Sequence, residues 1–302
     1  MSRDLYQEIT DKIIAQLEQG VAPWVQPWRN TYGSVSDPHN AVSRRCYSGI
    51  NILLLWLASI DRGYQSSGWL TFKQAQEAGG TVRKGEKATQ IVFVKQLTVT
   101  DKDAEGKPTT NEDGAENVKN INMLRAYHVF NVAQCDGLPA RYTPTVEKPA
   151  ARPDLIGPEF RDFIAATQAD ITHGGNRACY SPSRDAVTMP HPEAFTDASA
   201  YKATLLHELT HWTGHKSRLD RNLRGRFGNN EYAAEELIAE LGAAYLCASF
   251  QIDGHLQHAD YIGHWLAVLK QDKRAIFTAA SAAQKAADYL RATSSVTLAE
   301  AA

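Results

Sequence analysis

Cysteine is scarce in this chain and scattered. Its four cysteines, Cys46, Cys135, Cys179 and Cys247, form no CxxC pair in 302 residues. That excludes a disulfide framework and fits small core residues in a reducing compartment. Net charge is scarce as well: 32 Lys plus Arg stand against 34 Asp plus Glu, leaving −2. A globally basic surface is excluded, so any nucleic-acid site must be a local patch. The same balance excludes a strongly acidic polypeptide that imitates nucleic acid by charge. Long apolar runs are missing. The longest, Ile50 to Ile60, falls short of the roughly 20 residues that cross a bilayer. The opening MSRDLYQEIT carries acids and no apolar stretch, unlike a secretory leader. These absences predict a cytoplasmic protein with no membrane partner. Hydrophobic content of 43% over this length suffices for two domains with real cores.

Against that plain background stands His207-Glu-Leu-Thr-His211. Asp197 reads as an N-cap and Gly214 as a C-terminal stop, with no proline between them, so the segment predicts a helix. Residues i and i+4 share a helical face, and both imidazoles can therefore converge on one ion. Glu208 projects about 100° round from His207, placed to act as general base on a water. Leu205, Leu209 and Trp212 form an apolar seam on another face, which anchors the helix in a core. This is the pattern of a zinc hydrolase, with Zn²⁺ the expected ion and another divalent ion such as Mn²⁺ the alternative.

Catalytic zinc takes three protein ligands and leaves one position open. The stretch Tyr232–Ala248 predicts a second helix, with Leu237, Ile238, Leu241 and Tyr245 as its apolar stripe. Glu236 and Glu240 lie one turn apart on a different face. The spacing suggests Glu236 as the third ligand and Glu240 as the carboxylate that orients a ligand histidine, with the two roles exchangeable. His215, four residues after His211, competes as a ligand. The stop at Gly214 favours a place for it on the rim. His215, Tyr232 and Arg218 are all candidates to stabilise an oxyanion.

Three segments emerge along the chain. Residues 1–140 mix helices and strands: a helix from Leu5 to Gln19, an aromatic loop Pro23–Trp28, a buried helix opening at Gly49, and strands Gln90–Lys95 and Met123–Phe130. Within them, Thr100 to Asn120 holds six acids against three lysines and reads as a flexible hairpin tip or insertion. Residues 141–157 form a proline-rich linker, from a stretch with Pro139, Pro144, Pro149, Pro153 and Pro158. Residues 158–302 read as a helix, a short strand near Ile171 and a hairpin of Ala178–Ser181 with Ala186–Met189, before the two site-bearing helices. Ala186–Met189 is the expected edge strand, available to an extended peptide. The fold class expected is α+β in two domains.

Leaving out 100–120, residues 1–143 carry 13 Lys plus Arg against 9 Asp plus Glu. Basic residues interleaved with aromatics suit single-stranded nucleic acid, where bases stack on rings and cations meet phosphates. The candidates are Arg44, Arg45, Tyr47, Trp69, Phe72, Lys73 and the basic turn with Arg83, Lys84 and Lys87.

The strings DLYQEITDKIIAQLEQGVAPWVQPW, YSGINILLLW, WLTFKQAQEAGGTVRKGEKATQIVF and YHVFNVAQCDGL resemble the N-terminal domain of ArdC-type antirestriction proteins, a domain also present in plasmid-encoded conjugative primases. HELTHWTGHKSRL with YAAEELIAELGAAYLC resembles the zincin-like domain that accompanies it. The resemblance covers nearly the whole chain. It implies a single-stranded-DNA-binding domain joined to a metallopeptidase domain similar to the Spartan proteases. It also implies a role in shielding incoming plasmid DNA during conjugation, while the short proline-rich linker points to a substrate among DNA-bound proteins or to the chain itself. The alternative is a strand-coating antirestriction protein whose metal site is structural or whose proteolysis is dispensable.

Overall fold

The computed structural model describes residues 4–20, 22, 24, 37–64, 66–101, 105, 107–111, 116–142, 156–223, 230–252 and 262–293. Most of the expected linker, the aromatic loop beyond Trp24 and parts of the acidic insertion lie outside these residues. Helix α1 (Leu5–Glu18) starts at Asp4, whose carboxylate accepts from the Gln7 amide. Ile9, Ile13 and Leu17 recur every four residues and are at most 1% exposed, the spacing that turns one face inward. Strand β1 (His39–Asn40) and helix α2 (Ile50–Arg62) follow. The sequence of α2 is apolar almost all round, and every residue from Ile50 to Ser59 is buried accordingly.

Strand β2 (Gly68–Leu70), helix α3 (Phe72–Glu77) and strands β3 (Thr81–Val82), β4 (Thr89–Thr100), β5 (Val118–Asn131) and β6 (Cys135–Asp136) complete the first segment. The main sheet runs β1-β2-β5-β4, with β3 and β6 paired separately. The β4–β5 hairpin holds one register from Thr89↔Val129 to Thr100↔Val118, so the acidic stretch sits at its tip. Asn51 of α2 caps the open edge of β4. Its side-chain amide donates to the Val92 carbonyl and its oxygen accepts from the Val92 N–H, both at 2.8 Å.

Helix α4 (Pro158–Thr167) begins on a proline, whose missing N–H is no loss in a first turn. Strands β7 (Asp170–His173), β8 (Cys179–Ser181) and β9 (Ala186–Met189) form a sheet in the order β7-β9-β8. The edge-strand expectation is corrected here, because β9 is central and β8 is at the edge. A hairpin reading misses the parallel pairing of β7 with β9 on the far side. Burial of Ala186, Val187 and Met189 marks β9 as an inner strand. Helices α5 (Ala198–Thr213), α6 (Glu231–Ser249), α7 (Ile262–Gln271) and α8 (Ala275–Thr293) follow.

The segments before and after the proline stretch share one core. Ile9, Ile13, Leu53 and Trp56 belong to the same buried cluster as Leu237, Trp265 and Ile276. Trp24 meets Trp265 edge-on at 5.5 Å, and Trp56 of α2 meets Tyr245 of α6 at 5.9 Å. The Tyr245 hydroxyl donates to the Gly49 carbonyl at 3.1 Å, and the Thr10 hydroxyl to the Lys273 carbonyl at 2.7 Å. Each fully buried aliphatic or aromatic residue in such a cluster contributes about 1.5–3 kcal/mol. The two segments therefore fold against one another.

Candidate metal centre

Helix α5 is capped as its sequence requires, with the Asp197 carboxylate accepting from the Ala200 amide at 2.9 Å. Leu205, Leu209 and Trp212 are buried and lock its rotation. That rotation points His207 and His211 toward α6, with their Nε2 atoms 3.2 Å apart. Helix α6 comes close because Gly242 faces Thr210. A Cβ there would lie 2.5 Å from the Thr210 Cγ2. Glu236 is thereby brought to 3.4 Å from the His207 Nε2 and 3.7 Å from the His211 Nε2. Tetrahedral ligands at about 2.0–2.1 Å from zinc stand about 3.3 Å from one another. Two imidazoles and a carboxylate are thus set as one face of a tetrahedron, and they fit a divalent ion.

The surroundings favour positive charge at this point. Burial works against charge on His211, yet hydrogen bonds and charge from Glu235 and Glu236 lift its pKa to about 10. Burial likewise opposes charge on Glu236, but His207 and His211 hold its carboxyl well below the usual range. A divalent cation answers the same field.

The outer nitrogen of His211 is engaged, and that of His207 is buried facing a more distant carboxylate. His211 Nδ1 lies 3.1 Å from Glu235 Oε1. Glu235 is gripped by Arg221, whose Nε and Nη2 donate to its two oxygens at 2.8 and 2.5 Å. Arg221 in turn donates to the Thr210 carbonyl and the Thr213 hydroxyl. It can approach because residue 214 is glycine, where a Cβ would fall 2.7 Å from the guanidinium. Glu240, the expected orienting carboxylate, stands 3.8 Å from His207 Nδ1. Nothing in the sequence singles out Glu235 from its neighbour. The available signal is the adjacent acid pair Glu235-Glu236 one helix away from the histidines.

Glu208 is 6% exposed and does not join the three ligand atoms. Its Oε2 accepts from the backbone N–H of Tyr180, in edge strand β8, at 2.8 Å. Glu208 is thus held against the edge strand of the small sheet. A cleft of about 600 Å³ opens there, lined by Tyr180, Ser183, His211, His215, Arg221 and Glu235 among others. His215 is on its rim, with Nδ1 2.8 Å from the Ser217 hydroxyl and 3.6 Å from Asp185. Arg218 stacks over Trp212 at 3.8 Å and pairs with Asp185 through both terminal nitrogens. Tyr180 donates to Asp185 at 2.9 Å; burial, then that carboxylate, push its phenol up to about 12. Arg218 is therefore committed to Asp185, outside the cleft lining, and Tyr232 is 60% exposed and also outside it.

The residues expected to meet DNA do not gather in one place. Trp69 is a correction: it is fully buried among Leu55, Ala58, Ile91 and Val129 and can stack no base. Arg83 is a second correction. It pairs with Glu86 at 2.8 Å and Asp136 at 3.4 Å and donates to the Ala133 carbonyl, so it ties its turn together. Lys84 and Lys87 are exposed on that turn. Phe72 is 49% exposed beside Phe130, and Lys73 pairs with Glu77 on α3. Arg44 and Arg45 are exposed, and Tyr47 packs against the cluster that buries Trp69.

Two helices presenting this donor set beneath the edge of a short sheet define a zincin-like metallopeptidase fold. Comparison with known proteins agrees and narrows the class. Residues 158–282 match a zincin-like metallopeptidase family, and residues 3–130 match the N-terminal domain of anti-restriction factor ArdC. The chain is 42% identical over 291 residues to the uncharacterized protein y4eC of Sinorhizobium fredii, covering 96% of this chain and 92% of that one. It is 38% identical over 302 residues to a DNA primase TraC of Escherichia coli, of which it spans 27%. The metal-free crystal structure of the antirestriction ArdC protein from plasmid R388 superposes with a TM-score of 0.80 at 43% identity, covering 97% of this chain and 98% of that one. Its Mn(II)-bound structure superposes with a TM-score of 0.76 at 41% identity, covering 98% and 100%. The chain belongs to the ArdC family of antirestriction proteins. Among the described residues no helix is long and apolar enough to cross a membrane.

Proposed function

We propose that this chain is a metal-dependent peptidase directed to proteins on single-stranded DNA, and that it protects incoming plasmid DNA during conjugation. The observation that carries this reading is the ligand triangle of His207, His211 and Glu236 with Glu208 beside it. A purely structural site has no use for a carboxylate held next to its open side. Zn²⁺ suits the nitrogen-rich donor set, and the Mn(II)-bound relative supports a divalent ion more broadly. When bound, the ion would supply Lewis acidity, polarising a peptide carbonyl and acidifying water. Glu208 would take a proton from the water that adds to the peptide carbonyl carbon and give it to the amine released as the C–N bond breaks. The Tyr180 N–H fixes its carboxylate, so the proton is handed over at a set place along the edge strand. Arg218 is committed to Asp185 outside the cleft lining, leaving His215, which lines the cleft, as the candidate to meet a developing oxyanion.

Because the N-terminal segment shares a core with the peptidase segment, a strand bound by one holds its protein cargo beside the other. Such tethering raises the effective substrate concentration to about millimolar. The test is conjugative transfer into a restricting recipient, comparing wild type with Glu208→Gln. Loss of protection is expected. Full protection by the variant would mean that coating, rather than hydrolysis, defends the DNA.

A further inference from the structure

The β4–β5 hairpin carries a surface that neither the metal site nor the core accounts for. Directly paired residues of an antiparallel ladder point to the same face. Ile91 pairs with Tyr127, Phe93 with Arg125 and Lys95 with Met123, so these six share one side of the ribbon. At its inner end this side is core, since Ile91 and Val129 are buried with Leu55 and Trp69, and Tyr47 packs against them. Two residues further out it emerges into solvent. Phe93 is 47% exposed, Tyr127 48% and Met123 38%, and the two rings stand edge-on at 5.4 Å. Large apolar side chains grouped in the open mark an interaction site.

The charge on the hairpin identifies the partner. No acid occurs from Thr89 to Val99 or from Lys119 to Asn131, although the whole chain is net acidic. Arg125 and Lys95 are exposed on the aromatic side, and among the described residues no carboxylate pairs with either. Three other cations of the first segment are answered: Lys73 by Glu77, Arg83 by Glu86, Lys119 by Asp101. Exposed rings interleaved with uncompensated cations on a sheet face suit unpaired bases and their phosphates. A duplex offers no base face to such rings.

We propose that this outer face is where single-stranded nucleic acid lies, with bases on Phe93 and Tyr127 and phosphates on Arg125 and Lys95. The inference rests on the single-stranded-DNA reading above and gives it a location. It moves the contact away from the basic turn at 83–87, leaving Tyr47 at the inner end of the same side.

Binding of a fluorescent 20-nucleotide oligo-dT to the full chain, read by anisotropy over a salt series, tests it. Phe93→Ala/Tyr127→Ala should bind at least tenfold more weakly, with thermal midpoint and metal content unchanged. Lys95→Gln/Arg125→Gln should flatten the slope of log K against log salt by about 1.4, at roughly 0.7 per lost phosphate contact. Lys84→Gln/Lys87→Gln should leave affinity near wild type. If wild type binds and both face variants bind equally well, the location is wrong while the DNA reading stands. If wild type binds no strand at low salt, that reading fails and the location falls with it. A wild-type dimer in sedimentation that becomes monomeric in Phe93→Ala/Tyr127→Ala would assign the face to a second copy and overturn the proposal.

Discussion

Glu235 sits on the nitrogen of His211 that faces away from the candidate metal position. A ligand imidazole is oriented and made more basic by the carboxylate on its other nitrogen, and losing that partner costs about 10–100-fold in metal affinity. Glu235→Gln should therefore weaken Zn²⁺ binding by that factor in competition with a chromophoric chelator. His215→Ala, whose ring is turned to Ser217 and Asp185, should stay near wild type. Equal affinity for Glu235→Gln and wild type would remove Glu235 from the site. At this scale the sequence was readable where spacing alone carries the information. His207 and His211 need only a helix to meet. Trp69 and Arg83 were misread because composition tells which residues can bind a base, while burial and local ion pairs tell which are available. The adjacent acids at 235 and 236 look alike until the helix crossing sets Glu236 against the Nε2 atoms of both histidines and Glu235 against the outer nitrogen of His211.

At the scale of elements, the meeting of α5 and α6 makes the site, and Gly242 sets how closely they meet. Gly242→Ala places a methyl group against Thr210. Overpacking of this kind costs about 1–3 kcal/mol. It should lower the thermal midpoint and weaken metal binding together, because Glu236 moves away with α6. A midpoint lowered with metal affinity unchanged would show that the crossing does not position the ligand. Helix α5 was legible from its caps, and both helices from their apolar stripes. The order of the small sheet was not, because the parallel partner of β9 lies in β7, sixteen residues earlier by register Asp170↔Ala186. Sequence shows a hairpin and is silent about what closes its far side. The consequence is functional, since the open edge and the N–H that holds Glu208 both belong to β8.

Over the whole molecule, the two domains on either side of the proline stretch also share a buried cluster. Trp24 on Trp265, Trp56 on Tyr245 and Thr10 on Lys273 cross between the segments. Linker composition is visible in a sequence, and burial between distant segments is not. The shared core predicts one unfolding transition. Ile13→Ala, in α1 against the C-terminal helices, should lose about 2–5 kcal/mol and shift that single transition, without splitting it. Two separated calorimetric transitions would contradict the shared core. The same union gives the peptidase proposal its direct test. Purified wild type and Glu208→Gln are loaded with one divalent ion per chain, confirmed by elemental analysis, and mixed with single-stranded DNA carrying a bound protein. The account predicts equal metal content and equal DNA binding, with cleavage of the bound protein or of the chain itself by wild type alone. Cleavage by Glu208→Gln at the wild-type rate, or none by fully metallated wild type, would contradict it.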